Sequence, residues 1–173
     1  MKSLKNLSII ALVAISVIIV SCNKNDNQDE PNLTSGLTGT YTGTITTNGL
    51  KDASPATADI TAINNYTIQV YCYGDDIDTT IMLELYEDGN MMRVCFTDDD
   101  FYNEYGHNQS ENHHMMGDNE SCCTNWSQHM NNEHQGNDKH YGYFNMDEHQ
   151  FDYTFNVKTP STTYTQQFVG TIQ

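Results

Sequence analysis

Thr79-Thr80-Ile81-Met82-Leu83-Glu84-Leu85-Tyr86-Glu87-Asp88-Gly89-Asn90-Met91-Met92-Arg93-Val94-Cys95-Phe96-Thr97 is two alternating runs joined by Asp-Gly, a strong short-range hairpin signal. With Asp88 and Gly89 as a two-residue turn, Leu85 faces Met92, Leu83 faces Val94 and Ile81 faces Phe96. Every inward position then meets an apolar partner. The outward side sets Glu84 opposite Arg93, an opposite-charge cross-strand pair, and Met82 opposite Cys95. Agreement on both faces predicts an antiparallel sheet with one face on a core and the other in water.

The same texture extends in both directions. In 37–45, Leu37, Gly39, Tyr41, Gly43 and Ile45 share a face; in 66–73, Tyr66, Ile68, Val70 and Cys72 do. Further runs cover 56–63, 141–146, 151–158 and 163–172, rich in Thr, Tyr, Ile, Val and Phe and bounded by Gly, Asn and Asp. About eight short strands without interleaved helices predict an all-β domain over 37–173, an antiparallel up-and-down barrel or sandwich, expected to be monomeric. Gly39-Thr40-Tyr41 at the start resembles the Gly-x-Trp opening of lipocalin-like barrels, with Tyr41 in the tryptophan position, and 168–172 suits a closing strand. That resemblance implies a cup lined by Tyr41, Ile68, Val70, Leu83, Val94, Phe151, Tyr153, Phe155 and Phe168, holding a small apolar ligand.

At the N-terminus, Lys2 and Lys5 precede an apolar run over 7–20, shorter than the roughly 20 residues of a bilayer span. This is the layout of a secretory signal. Ile19-Val20-Ser21-Cys22 resembles the lipobox of bacterial lipoproteins. The resemblance implies cleavage before Cys22, diacylation of its thiol and acylation of the freed amine. Residues 1–21 are then a signal peptide, and the polar stretch 22–36 a flexible tether between lipid and domain. The expected location is the cell envelope, and Asn23 after the cysteine favours the outer membrane.

Charge narrows the partners. The chain has 7 basic and 23 acidic residues; without Lys2 and Lys5 it keeps 5 basic, a balance of −18 with histidine neutral. Nucleic acid is excluded for want of a basic patch, and membrane contact is expected through the acyl chains alone. Four cysteines remain beyond the lipobox, Cys72, Cys95, Cys122 and Cys123, which outside the cytoplasm are disulfide candidates. Cys72 faces inward two strands from an outward Cys95, roughly 9–10 Å away in a meander. A pairing between them is disfavoured.

Residues 98–140 break the strand pattern. This insertion holds six of the seven histidines, with Met115, Met116, Met130 and Cys122-Cys123 among them. Imidazole, thioether and thiolate are the donors that hold copper and zinc. Thr124 is placed to cap a helix over 126–134, on which His129 with Glu133, and Met130 with His134, stand one turn apart. His113-His114-Met115-Met116 offers two donor types in one tetrapeptide. In composition these stretches resemble those of bacterial envelope copper-binding proteins. The candidate ligands are therefore His113, His114, Met115, Met116, His129, Met130, Glu133 and His134, with copper or zinc as the ion.

His129-x-x-x-Glu133-His134 has one residue too many for the His-x-x-Glu-His metalloprotease pattern, and no nucleophile elbow, phosphate loop or dinucleotide fingerprint is present. Asp98-Asp99-Asp100 lacks calcium-loop spacing and reads as a turn capping a short helix over 101–106. No enzymatic activity is expected. Two readings follow: a lipoprotein that binds or buffers a transition metal through its insertion, or a lipocalin-like carrier. A non-catalytic surface-interaction protein is the remaining alternative.

Overall fold

The computed structural model describes residues 31–48, 52–109 and 124–172. Eight antiparallel strands run up and down in chain order and close into a barrel: β1 Gly39–Thr47, β2 Ala53–Ala62, β3 Thr67–Gly74, β4 Asp78–Asp88, β5 Met91–Phe96, β6 Gly142–Asn145, β7 Gln150–Lys158 and β8 Thr163–Ile172. Closure comes from β1 pairing with β8, where Gly43 lies opposite Gly170. A Cβ at Gly43 would sit 2.0 Å from the Val169 carbonyl oxygen, so the seam closes only around a residue without one.

The nine side chains expected to line a cup are all buried, but against one another. Tyr41 meets Phe144 and Phe151 edge-on, Phe151 stacks on Phe144, and Tyr153 meets Phe155 edge-on. The barrel has a packed core around these rings, and the chain just before β1 runs into it. Leu33 and Thr34 are buried at its end, and both N–H groups donate to the Asn65 carbonyl, so the folded domain begins before residue 37. The reason is apolar: Leu33 and Leu37 belong to the same buried core as these rings, and Tyr41 donates to the Leu37 carbonyl (3.0 Å).

The β4–β5 register differs from the sequence expectation by two residues. Leu85 pairs with Val94 and Leu83 with Phe96, while on the outer face Glu84 pairs with Cys95 and Tyr86 with Arg93. Gly89 and Asn90 make the turn, with Gly89 at φ +68° in its first central position. A shift of two preserves which face each residue occupies, so alternation cannot tell the registers apart; turn chemistry does.

β5 is paired with β6 only over Met91–Arg93. Beyond Arg93 its edge is left to the insertion, which forms two helices among its described residues, α1 Asp98–Tyr105 and α2 Trp126–Glu133. The three aspartates are the first turn of α1, where they complement the helix dipole, and Thr97 is the N-cap residue; Gly106 closes the helix in the left-handed conformation. Tyr86 and Cys95, on the outer face of β4 and β5, join Phe101 in a second apolar cluster outside the barrel. Among the described residues no helix is long and apolar enough to cross a membrane. Cys22, the segment 1–21, His113, His114, Met115, Met116, Cys122 and Cys123 lie outside the described residues.

Candidate metal centre

Helix α2 is clamped onto β4 at its first turn. The Glu87 N–H donates to the Thr124 carbonyl (2.6 Å), Asn125 bridges to Glu87, and the Asn125 side chain caps the helix by accepting from the Gln128 N–H (3.3 Å). The cap is therefore Asn125 and not Thr124, whose backbone is committed to the sheet. This docking lays the His129 ring flat on Tyr86, centroids 3.7 Å apart and planes inclined by 21°. Tyr86 in turn donates its hydroxyl to the buried Glu84 carboxylate (2.8 Å).

The helix stops at Glu133. His134 is extended (φ −110°, ψ 153°), which returns its ring toward the sheet instead of stacking it one turn above Met130. Its Nε2 lies 2.9 Å from His129 Nε2 and 3.5 Å from Cys95 Sγ. The three donor atoms of Cys95, His129 and His134 all fall within 4.8 Å of one another. Zinc binds imidazole at about 2.0–2.1 Å and thiolate at about 2.3 Å, which at tetrahedral angles separates two nitrogens by about 3.3 Å and a nitrogen from sulfur by about 3.5 Å. The His134–Cys95 spacing already matches, and the N–N spacing needs to open by a few tenths of an ångström. This cluster could hold a metal ion.

The next layer of groups orients the donors. His134 Nδ1 lies 3.0 Å from Asp138 Oδ2; donating its proton there leaves the Nε2 lone pair aimed at the cluster, the carboxylate–histidine arrangement that supports metal ligands. The same oxygen accepts from the Gln135 N–H (2.8 Å) and lies 3.0 Å from His107 Nε2. Burial alone would raise the Asp138 pKa, but these bonds hold it below the ordinary carboxylate value. For His134 burial wins over Asp138 and lowers the pKa, so the imidazole is neutral, the form that coordinates. Burial pushes the Cys95 thiol well up, and Glu84 opposite adds to that. Trp126, Phe101 and Tyr105 wall the cluster, with ring centroids 5.1 Å (Phe101) and 4.9 Å (Tyr105) from His134 and 5.4 Å (Trp126) from His129. Beside it His140 has a pKa lowered to about 4, by burial first and by the neighbouring His134 second.

Of the ligands expected from sequence, the structure brings His129 and His134 together. Glu133 is buried but is not among the converging donors, and Met130 is half-buried on α2. The Met130–His134 pairing gives way because His134 lies past the end of the helix. Cys95, read as a disulfide candidate, is the third donor; it and Cys72 are both free thiols, Cys72 inside the barrel and Cys95 outside. Two signals pointed to the additional residues: Cys95 faces outward immediately before the histidine-rich insertion, and Asp138 follows His134 by four.

A separate cleft of about 550 Å³ opens at one end of the barrel, between Ile77, Phe96, Tyr153, Phe155 and the polar Glu104 and Lys158. Of the expected cup lining only Tyr153 and Phe155 reach it. No protein-family model, curated protein or solved structure matches this chain.

Proposed function

We propose that this chain is an envelope-anchored lipoprotein, tethered through Cys22, that binds or buffers a transition metal, copper or zinc. The single observation that carries the reading is the convergence of Cys95 Sγ, His129 Nε2 and His134 Nε2, with His134 oriented by Asp138. Soft thiolate with borderline imidazole is the donor set that copper and zinc share. The ligands are drawn from β5, from α2 and from the residue just past α2. Binding an ion therefore pins the insertion to the barrel. The acidic surface raises the local cation concentration around it.

The test is titration of the purified full chain with zinc and with Cu(I), against a chelator of known affinity, beside Cys95→Ser and His129→Gln. One ion bound per chain, weakened in both variants, is expected. Equal binding by all three, or by none, would contradict the proposal. Point variants serve better than excising 111–134, because that cut removes α2 and uncovers Tyr86 and Cys95.

The carrier reading is favoured by one observation, the cleft at the barrel end. It takes a ligand of mixed character at the mouth, since the interior is filled by its own rings.

A further inference from the structure

His140 stands apart from every other described ring around the cluster. A neutral imidazole carries one N–H and one lone pair, and buried polar groups are almost always paired. Both ring nitrogens of His140 are buried, and neither has a hydrogen-bond partner among the described residues. The ring lies against the cluster, its centroid 4.5 Å from that of His134 at 82° and 4.7 Å from Trp126 at 84°. The chain on either side is fixed: Tyr105 donates its hydroxyl to the Lys139 carbonyl (2.8 Å), and the Tyr141 carbonyl accepts the Thr154 N–H (2.7 Å). A pinned backbone thus delivers an imidazole that, among the described residues, only ring packing holds in place.

We propose that His140 is the fourth ligand, swinging onto an ion held by Cys95, His129 and His134 and closing the site as one thiolate and three imidazoles. This rests on the metal-binding reading above. Zinc in structural sites is four-coordinate, whereas a site with three protein ligands keeps its fourth position for water or substrate. A fourth side chain makes the centre a holding site rather than a catalytic one. Such a role also accounts for a buried imidazole whose polar atoms have no partner among the described residues.

The experiment uses the full chain with Zn(II) and Co(II), comparing wild type with His140→Gln and His140→Gly. Zinc affinity should fall by at least about tenfold, since even outer-sphere partners of metal ligands contribute that much. The Co(II) visible bands, intense for four-coordinate tetrahedral cobalt, should weaken in both variants. Free imidazole added to His140→Gly should restore them, which a packing role would not produce. Far-UV circular dichroism confirms that the variants fold; should His140→Gly not fold, the affinity and spectrum of His140→Gln decide. Wild-type affinity and an unchanged cobalt spectrum in the folded variants would overturn His140 as a ligand while leaving the three-donor site standing. Absence of binding by the wild type would overturn both.

Discussion

Asp138 determines which nitrogen of His134 faces Cys95, so a single carboxylate sets the tautomer on which the cluster depends. Replacing Asp138 by Asn should lower metal affinity about 10- to 100-fold while the barrel stays folded, read by chelator competition. Cys95 supplies a second expectation. Burial keeps its thiol protonated in the metal-free protein, so binding must expel that proton. Calorimetric titration in two buffers of different ionisation enthalpy should show about one proton released per ion, and affinity should fall as pH drops. Release of no proton would mean that the thiol is not a ligand. Cys72, inside the barrel, gives a prediction independent of metal. Burial raises its pKa from 9.0 to about 12, so it stays protonated when folded but ionises when unfolded. Its contribution is complete below pH 9 and is lost as pH rises toward 12. Denaturant midpoints should decline over that alkaline range, less steeply in Cys72→Ala than in wild type.

Among the elements, period-two alternation marked all eight strands because each has one face in the core and one outside. That same period hid the β4–β5 register: alignments two apart bury the same residues, and only the turn separates them, since an Asp88-Gly89 turn needs φ > 0 at both residues and Asp88 does not have it. The difference bears on function, because the observed register puts Glu84, not Met82, opposite Cys95. Helix α2 was legible as a helix, but its last residue was not. Whether His134 lies inside or past the helix depends on contacts with Asp138 and Cys95, made by residues 4 and 39 positions away. Cys95 was legible as outward-facing, not as a ligand, since its partners arrive through the insertion. Asn125→Ala should cost about 1 kcal/mol by removing the cap, and should weaken metal binding through the tilt of α2. At the barrel seam, Gly43→Ala should cost about 3 kcal/mol, the upper end of overpacking, because the clash is with backbone. A thermal midpoint equal to wild type would contradict the close β1–β8 approach.

For the molecule as a whole, the barrel acts as a rigid frame whose outer wall, not its cup, carries the candidate site. Packing by Phe144, Phe151 and Phe168 fills the interior, while the short β6 leaves the end of β5 for the insertion to cover. With a balance of −18 once residues 1–21 are removed, the chain is expected to reach the membrane only through the proposed lipid anchor. Cys22→Ser should therefore move it from the membrane to the soluble fraction of fractionated cells, and unchanged sedimentation would contradict the lipid tether. The central claim, a metal held by thiolate and imidazoles on the barrel wall, is tested most directly by X-ray absorption of the zinc-loaded full chain. The account predicts a first shell with one sulfur at about 2.3 Å and the remaining ligands nitrogen at about 2.0–2.1 Å. The sulfur should vanish in Cys95→Ser. A shell of oxygen and nitrogen only, or a sulfur that survives the loss of Cys95, would contradict it.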